Sequence, residues 1–409
     1  MYHCDEHFAV KTLCLRDILL TPERVRMEIA ILFEMDHPNI IRLFEVFEEK
    51  KYFHLVTEYC EGGELFDHLA AKGMYQEAEA AALMRKVLRA ISYLHTNSIC
   101  HRDIKPENVM FAGGELKLID FGLAAKFEGG CELNSQVGTA AYVAPEVLRG
   151  HYTYKCDMWS AGIMLYLMVT GMTPYDEGSV GVLQQLSSFQ LDLEAPALMQ
   201  ASDQVKDLLR QLLCPQPEDR PSALEALTHP WLNTAPAQVV HLNPMVLFSP
   251  KRFRFTTRLK TAALTLLAKR LKGGKGLKDT FAAMDVIGNG RITLSELEAA
   301  LSRAAFTLSQ SEVQLMVANV DTEGRGQIKY SDFLVATMAS KHSISETAMR
   351  KTFRYLADND TFITPLSLQD VMRRQGRCMS DEEAAGIIAE ADVSGKGLIS
   401  FEAFQQVLK

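Results

Sequence analysis

Four polar side chains between positions 103 and 120 have the types and the order that phosphoryl transfer requires. This reaction needs little covalent chemistry from a protein, because it depends on positioning and on neutralising phosphate charge. Asp103 can accept the proton of an attacking hydroxyl group, and Lys105 can neutralise the moving phosphoryl group. Asn108 and Asp120 offer an amide and a carboxylate oxygen, which suit Mg²⁺. We therefore predict that these four residues are catalytic and act on a nucleoside triphosphate with Mg²⁺.

The four residues lie in short motifs that follow one another in a characteristic order. The motifs are His101-Arg102-Asp103-Ile104-Lys105-Pro106-Glu107-Asn108, then Asp120-Phe121-Gly122, then Ala144-Pro145-Glu146. One triplet would be weak evidence, whereas the ordered set is very improbable by chance. The set resembles the catalytic loop, the metal-binding triplet and the end of the activation segment of protein kinases, and Lys105 is typical of serine/threonine kinases.

The elements that must position these motifs predict a mixed α+β arrangement. Apolar runs bounded by charge, at 8–11 and 53–58, predict strands, and apolar residues at helical spacing predict a helix over 23–34. Residues 64–232 have mostly helical patterns. Lys11 matches the strand lysine that binds the α- and β-phosphates in kinases, and Glu28 lies where its helix partner is expected. Taken alone, each would more often be a solvated surface charge, and the catalytic motifs decide for the functional interpretation.

Two further phrases resemble the calcium/calmodulin-dependent branch of protein kinases. They are Asp36-His37-Pro38-Asn39-Ile40-Ile41 and Gly62-Gly63-Glu64-Leu65-Phe66-Asp67. With the repeats described below, the chain is similar over nearly its full length to the calcium-dependent protein kinases of plants and apicomplexan parasites. The resemblance implies a two-lobed protein kinase fold that transfers the ATP γ-phosphate to serine or threonine hydroxyls of proteins.

The resemblance also implies roles for residues outside the catalytic motifs. Thr57 corresponds to the gatekeeper of the ATP pocket, and residues 58–60 to the hinge that contacts adenine through the backbone. Glu64 and Glu107 correspond to acidic residues that attract a basic side chain near the target serine or threonine; surface carboxylates without a role are the alternative. The implied ATP-binding set is Lys11, Thr57, Glu58, Cys60, Glu64, Asn108 and Asp120.

Four supporting residues are also expected from the resemblance. Thr139 should bond near the catalytic base, and Asp157 should anchor the backbone of the catalytic loop. Glu146 should form a buried ion pair with Arg220, which has a structural rather than a catalytic role.

The last third of the chain contains an internal repeat. Loops starting at Asp285, Asp321, Leu356 and Asp392 each place an isoleucine at their eighth position and are spaced by 35 or 36 residues. The repeat predicts an all-α domain of four EF-hand units, in which calcium is bound by oxygen ligands from a twelve-residue loop.

The four loops differ in how many calcium ligands they keep. The first has Asp285, Asn289, Arg291 (through its carbonyl oxygen), Thr293 and Glu296, but its third position is Ile287. The second has Asp321, Glu323, Gln327 and Asp332, with Arg325 at the fifth position. The third and fourth lack several ligands, because they contain Leu356, Thr361, Ser367, Lys396 and Ala403 at ligand or turn positions. We predict Ca²⁺ at the first loop and more weakly at the second; a purely structural module is the alternative.

The chain divides into three regions on this interpretation. Residues 1–232 are a kinase domain with an incomplete N-lobe, 233–272 a linker with a junction helix, and 273–409 the EF-hand domain. The stretch 251–272 is basic and amphipathic, so it can bind the kinase cleft or the EF-hand lobe. A solvated linker helix is the alternative for this stretch.

Composition limits the remaining function classes. With 43 basic and 51 acidic residues, the net charge of -8 argues against a nucleic-acid binder. The eight cysteines are scattered and form no C-x-x-C pair, which favours reduced thiols in a cytoplasmic protein. The apolar runs are too short for a transmembrane segment. Membrane association through residues upstream of Met1 stays open.

No glycine-rich G-x-G-x-x-G loop precedes Lys11, because only ten residues precede it. We expect the sequence to be a fragment or an incomplete gene model, since Lys11, Asp103, Asn108 and Asp120 are all present.

Three hypotheses follow. The first is a calcium-regulated serine/threonine kinase that uses ATP, Mg²⁺ and Ca²⁺. The others are a kinase-like calcium-binding scaffold with impaired catalysis and a calcium-insensitive kinase with a structural EF-hand lobe.

Overall fold

The computed structural model describes most of the chain in several ranges. These are residues 7–15, 21–128, 132–175, 189–233, 258–270, 275–304, 306, 308–341, 346–358, 360–392 and 394–408. The basic residues 251–257 at the start of the predicted junction helix, and 271–272 at its end, lie outside the described residues.

A three-stranded antiparallel sheet and one helix form the N-terminal lobe. The strands are β1 (Phe8–Cys14), β2 (Leu43–Glu48) and β3 (Tyr52–Glu58), in the spatial order β1-β3-β2. Strand β1 extends beyond the predicted 8–11 because its pairing with β3 continues to Cys14 opposite Tyr52. Helix α1 (Pro22–Glu34) begins after Thr21, whose side chain accepts a hydrogen bond from the Arg24 N–H, with proline in the first turn.

The second lobe is mainly helical. Its helices are α2 (Leu65–Lys72), α3 (Glu77–Thr96), α4 (Pro145–Arg149), α5 (Cys156–Thr170), α6 (Asp203–Leu212), α7 (Ala223–Leu227) and α8 (Pro230–Asn233). The lobe also contains two pairs of short strands. Strand β4 (Ile99–Cys100) pairs with β7 (Ala125–Lys126), and β5 (Val109–Ala112) pairs with β6 (Glu115–Leu118). Helix α5 is buried from Cys156 to Met168, which agrees with a sequence that is mostly apolar apart from Asp157 and Ser160.

The expected buried ion pair fixes the end of the activation segment to the core. Both guanidinium ends of Arg220 contact the carboxylate of Glu146, and the two side chains are nearly inaccessible. The guanidinium also lies 4.9 Å from the centre of the Trp159 ring. The Arg220 guanidinium also donates hydrogen bonds to the carbonyls of Cys214, Pro215 and Lys155. Its planar set of N–H donors is therefore well satisfied within the core.

The C-terminal region consists of helix–loop–helix units. Its elements are α9 (Arg258–Arg270), α10 (Lys275–Met284), β8 (Arg291–Thr293), α11 (Leu294–Arg303), α12 (Gln310–Val320), β9 (Gln327–Lys329), α13 (Tyr330–Lys341), α14 (Glu346–Leu356), α15 (Pro365–Arg374), α16 (Asp381–Ala391) and α17 (Phe401–Leu408). Ile292 pairs with Ile328 across β8 and β9, and Ile363 with Ile399 in an isolated bridge. These are the four isoleucines on which the repeat was aligned.

Helix α9 packs within the C-terminal region. It contacts α13, α14, α16 and α17, and it buries Leu259, Ala263, Leu264, Leu266 and Leu267. Its first residue, Arg258, forms an ion pair with Glu390 of α16. The apolar face of the described part of the junction therefore lies against the EF-hand helices.

The helices of the described ranges differ from membrane-spanning helices. None of them combines the length and the apolar character that crossing a bilayer demands. The six cysteines within these ranges, Cys14, Cys60, Cys100, Cys156, Cys214 and Cys378, are free thiols.

Candidate active site

Lys11 joins the N-terminal sheet to two carboxylates from distant parts of the sequence. Its Nζ lies 2.8 Å from Glu28 Oε1 of α1 and 2.8 Å from Asp120 Oδ1. Burial alone would lower the pKa of Lys11, but the charges of Glu28 and Asp120 raise it overall. Burial would likewise raise the pKa of Asp120, yet the charge and hydrogen bond of Lys11 lower it. Lys11 and Asp120 are therefore held in their charged forms.

The predicted base, Asp103, is held by three neighbours. Its Oδ2 accepts a hydrogen bond from Asn108 Nδ2 at 2.8 Å and lies 2.9 Å from Lys105 Nζ. Its Oδ1 accepts a hydrogen bond from Thr139 Oγ1 at 2.7 Å, and Lys105 also donates to Thr139. These contacts orient the carboxylate, which is what positioning of a hydroxyl acceptor requires. The sequence prediction for Thr139 is confirmed.

The backbone of the catalytic loop is anchored on a fully buried carboxylate. Asp157 Oδ2 accepts a hydrogen bond from the His101 N–H at 2.9 Å, and Oδ1 accepts one from the Arg102 N–H at 2.8 Å. Burial alone would raise the pKa of Asp157, but bonds with His95 and His101 lower it. The expected anchor is therefore present. Sequence reasoning missed His95, whose Nε2 lies 2.9 Å from Asp157, since this contact joins residues 62 positions apart.

Two non-glycine residues of the site adopt left-handed backbone conformations. Arg102 has a φ of 67° and Asp120 a φ of 58°. Such conformations are costly for residues with a Cβ atom and persist where the surroundings hold them. Arg102 is held by the bond from its Nε to the Leu123 carbonyl, and Phe121 is buried against the His101 ring. These contacts place Asp120 beside Lys11.

The donor set formed by Asn108 and Asp120 fits a magnesium ion. The Asn108 amide donates its N–H groups to the Asp103 carbonyl and carboxylate, so its oxygen is the end available to a cation. Asp120 uses Oδ1 for Lys11 and the Gly122 N–H. Within the described part of the chain Asp120 Oδ2 has no hydrogen-bond partner, and hard oxygen ligands of this kind suit Mg²⁺.

The predicted hinge lies at the end of β3, between the two lobes. Thr57 and Glu58 end the strand, and Cys60 is buried. Glu58 forms an ion pair with the buried Lys117 of β6 at 2.8 Å, a contact that the sequence analysis did not foresee. Burial alone would raise the pKa of Glu58, but the charge of Lys117 lowers it. The Glu58 side chain therefore ties the hinge to the second lobe.

The two predicted substrate carboxylates lie close to this region. Glu64 precedes α2, and its backbone forms an isolated antiparallel β-bridge with that of Met110 in β5. Glu107 lies within the catalytic loop, and its Oε2 is buried without a hydrogen-bond partner among the described residues. An unpaired buried carboxylate oxygen is costly and favours a cationic partner.

The first predicted calcium loop brings its end ligands together. Asp285 accepts hydrogen bonds from the N–H groups of Asn289 and Gly290, at 3.0 and 2.8 Å. Glu296 accepts bonds from the N–H groups of Ile287 and Thr293. Burial raises the pKa of Asp285 to about 6, and the charge of Glu296 adds to the increase. Two crowded carboxylates fit a divalent cation, although Ile287 supplies no ligand.

Positive charges surround Glu323 of the second loop. Glu323 lies 2.9 Å from Arg291, 3.3 Å from Arg325 and 3.5 Å from Lys329. Asp332 has an Oδ1 that is buried and has no partner in the described ranges. Burial raises the pKa of Asp332 to about 6. The loop thus offers carboxylates to a cation, but its ligand at the third position is already neutralised.

Loops three and four keep few of the expected ligands. Asp392 accepts hydrogen bonds from the N–H groups of Ser394, Gly395 and Gly397, so the fourth loop keeps its turn. Leu356, at the first position of the third loop, is fully buried. Neither loop supplies a carboxylate at its twelfth position, since these positions are Ser367 and Ala403.

Comparisons with known proteins agree with this arrangement. A protein kinase domain model matches residues 2–232, and an EF-hand domain pair model matches 275–338. Calcium-dependent protein kinase 7 of Arabidopsis thaliana is 35% identical over 398 residues, which are 95% of this chain and 74% of the relative. Calcium-dependent protein kinase 16 of Oryza sativa subsp. japonica is 36% identical over 397 residues, 95% of this chain and 73% of the relative.

Calcium-dependent protein kinase 34 of Arabidopsis thaliana is 36% identical over 415 residues, which are 98% of this chain and 79% of the relative. The predicted kinase fold followed by an EF-hand region is therefore confirmed, as is the class of enzyme, a protein serine/threonine kinase. The chain belongs to the calcium-dependent protein kinase family.

Proposed function

We propose that this kinase transfers the γ-phosphate of ATP to protein serine and threonine hydroxyls through Lys11, Glu28, Asp103, Lys105, Asn108 and Asp120, under calcium control. The observation that carries the catalytic assignment is the double contact of Lys11. Its Nζ lies 2.8 Å from both Glu28 and Asp120, which gives a fixed cation beside a metal-binding carboxylate.

Each residue has a distinct part in the proposed transfer. Lys11 binds phosphate oxygens of ATP, and Glu28 holds the Lys11 ammonium in place. Asp103 accepts the proton of the substrate hydroxyl while Thr139 and Asn108 keep its carboxylate oriented. Lys105, 2.9 Å from Asp103, neutralises charge that develops on the transferred group. Mg²⁺ held by Asn108 and Asp120 would supply further neutralisation of the phosphates.

The ATP and substrate sites extend from this centre. Thr57, Glu58 and Cys60 would contact the nucleoside at the hinge, and Glu64 would complete that part of the pocket. Protein substrates with basic residues near the target serine or threonine are favoured by Glu107. Its buried Oε2 has no partner in the described ranges, and a substrate arginine or lysine would supply one.

The proposed calcium control acts through the C-terminal region. Ca²⁺ would bind first at Asp285, Asn289, Arg291, Thr293 and Glu296, and more weakly at Asp321, Glu323, Gln327 and Asp332. The junction 251–272 would exchange between the kinase cleft and the EF-hand lobe. The burial of Leu259, Leu264 and Leu267 against the EF-hand helices supports the second of these positions. The proposed domains are 1–232, 233–272 and 273–409, in a cytoplasmic protein.

The charges around Glu323 favour a second candidate, a calcium-insensitive kinase. Arg291, Arg325 and Lys329 already provide the positive charge that an ion would bring to this loop. Both candidates use the same catalytic residues. They differ in whether removal of calcium changes the rate of transfer.

One assay tests both the activity and its control. Phosphate transfer from ATP to a basic serine peptide is measured with the full chain, in excess Ca²⁺ and in a calcium chelator. We expect transfer that is faster with Ca²⁺, lost in Asp120→Asn and retained in Asp67→Asn, a matched exposed carboxylate on α2. Equal rates in both conditions would exclude calcium control. Absence of transfer in both, or an active Asp120→Asn variant, would exclude the catalytic assignment.

A further inference from the structure

The turn after α1 makes a hydrogen bond with the second calcium loop. Asp36 Oδ2 accepts the Ser331 N–H at 3.0 Å, although the two residues are 295 positions apart. Ser331 lies in the first turn of α13, where backbone N–H groups lack partners within the helix. A side chain of the kinase domain thus caps the helix that leaves this loop.

The same turn is held from inside the kinase domain by Tyr93 of α3. The Tyr93 hydroxyl accepts the Asp36 N–H at 2.9 Å and donates to the Glu34 carbonyl at 3.4 Å. Glu34 is the last residue of α1, the helix that carries Glu28. One buried phenol therefore fixes both the end of this helix and the residue that caps α13.

The first calcium loop lies against the ring of the same phenol. A Cβ atom at Gly290 would come within 2.5 Å of Tyr93 Cδ2 and within 3.3 Å of His37 Cδ2. Gly290 has a φ of 75°, so both the turn and this close approach require glycine. Loops one and two therefore converge on a single surface formed by Asp36, His37 and Tyr93, which we call the Asp36–Tyr93 surface.

The second EF-hand pair contacts the end of the same helix. A Cβ atom at Gly376 would lie 2.4 Å from the ring of Phe33 in the last turn of α1. Glu28 lies six residues before the end of α1, or about 9 Å along the axis of a helix. Because a helix moves nearly as a rigid body, contacts at Phe33, Glu34 and Asp36 bear on the position of Glu28.

We propose that Asp36 is a positioning residue, through which the first EF-hand pair fixes the end of α1 and with it the contact between Glu28 and Lys11. The proposal rests on the catalytic role proposed for Lys11 and Glu28. The first EF-hand pair thereby acts on nucleotide binding from outside the cleft, through a carboxylate that touches neither ATP nor substrate. A cap that served only the stability of α13 would leave nucleotide binding unchanged.

The test uses the full chain and four variants. Asp36→Ala removes the cap, Asp36→Asn keeps a side-chain oxygen that can accept the Ser331 N–H, and Tyr93→Phe removes only the hydroxyl that joins Asp36 to α1. Asp203→Ala is the control variant. It removes an exposed carboxylate in the first turn of α6, which is remote in sequence from the Asp36–Tyr93 surface. Amide hydrogen exchange is followed at the first turn of α13 and the last turn of α1, together with the dissociation constant for Mg–ATP.

We expect faster exchange at both helix ends in Asp36→Ala and weaker Mg–ATP binding by about tenfold, the factor that 1.4 kcal/mol represents. Asp36→Asn should restore both values, and Asp203→Ala should match the wild type. Tyr93→Phe should accelerate exchange at α1 even where Asp36→Ala folds poorly. Faster exchange confined to α13, with unchanged Mg–ATP binding, would overturn the proposal. A wild-type chain without phosphate transfer would contradict the proposed function alone, because the exchange measurement still decides the role of Asp36.

Discussion

Lys11 Nζ lies 2.8 Å from Glu28 Oε1, and this contact ties strand β1 to helix α1. The two partners differ in exposure, because the Glu28 side chain is 3% exposed and that of Lys11 is 40% exposed. A buried carboxylate without a counter-charge would be strongly destabilised. The position of α1 therefore determines where the Lys11 ammonium group lies, and so determines its contact with Asp120.

Replacing Glu28 by glutamine should impair transfer without unfolding the lobe. The amide keeps the volume of the side chain, but it no longer neutralises Lys11, which is then drawn towards Asp120 alone. We expect kcat/KM for ATP to fall about 100-fold, a typical loss for an electrostatic group of an active site. Glu48→Gln, in the exposed pair with Arg26, is the matched control and should change the rate less than about twofold. Equal rates in the two variants would contradict the role of Glu28.

The buried pair of Glu146 and Arg220 should dominate the stability of the second lobe. Arg220→Ala leaves the Glu146 carboxylate buried without its partner, so we expect a loss of roughly 3–5 kcal/mol in the free energy of unfolding. Arg210→Ala removes the exposed partner of Asp207 and should cost less than about 1 kcal/mol. Denaturant unfolding of both variants measures the difference. Similar losses would show that the pair makes no special contribution.

The grouping of the proposed catalytic residues could be predicted from the sequence because kinase motifs are contiguous. Asp103, Lys105 and Asn108 occupy one short loop, whose internal bonds depend on local geometry. The repeat is equally local, and the isoleucines that its 35- or 36-residue spacing aligns do pair in the structure, Ile292 with Ile328 and Ile363 with Ile399. Helix boundaries were also close, since α1 begins at Pro22 rather than at the predicted residue 23.

Contacts between distant segments could not be predicted in this way. Lys11 and Asp120 are 109 positions apart, and Asp36 and Ser331 are 295 apart. No periodicity links such residues, because their proximity results from the packing of whole elements. The length of β1 was underestimated for the same reason, since pairing with β3 rather than residue preference extends the strand to Cys14.

A half-buried lysine should make stability depend on pH above neutrality. Burial lowers the pKa of Lys278 in α10 to about 8, and the positive charge of Lys117 adds to the decrease. Between about pH 8 and the ordinary value of 10.5 the unfolded chain binds more protons than the folded one, so stability should rise with pH in this window. Below about pH 8 Lys278 is protonated in both the folded and the unfolded chain, so the full cost of burying its charge remains.

Lys278→Met tests this dependence. The variant should be more stable than the wild type at pH 7, by roughly 1–2 kcal/mol after allowance for partial exposure, and should lose the increase above pH 8. Lys50→Met, at an exposed turn, should leave both the stability and its pH profile unchanged. Thermal unfolding at pH 7, 8 and 9.5 provides the measurement. A Lys278→Met profile parallel to that of the wild type would contradict the assignment.

Removing positive charge around Glu323 should strengthen calcium binding at the second loop. Arg291 and Arg325 lie 2.9 and 3.3 Å from this carboxylate, so an incoming ion must displace them or be repelled by them. Arg291→Gln and Arg325→Gln each leave the backbone oxygens of the loops intact. We expect the double variant to bind Ca²⁺ at this loop about tenfold more tightly, as judged by calorimetric titration. Arg350→Gln removes an exposed partner of Glu346 outside the loops and should have no effect. A double variant that binds no more tightly than the wild type would contradict this explanation. The weakness of the loop would then come from the short Asp332 side chain at its twelfth position. In that case Asp332→Glu, rather than charge removal, should restore affinity.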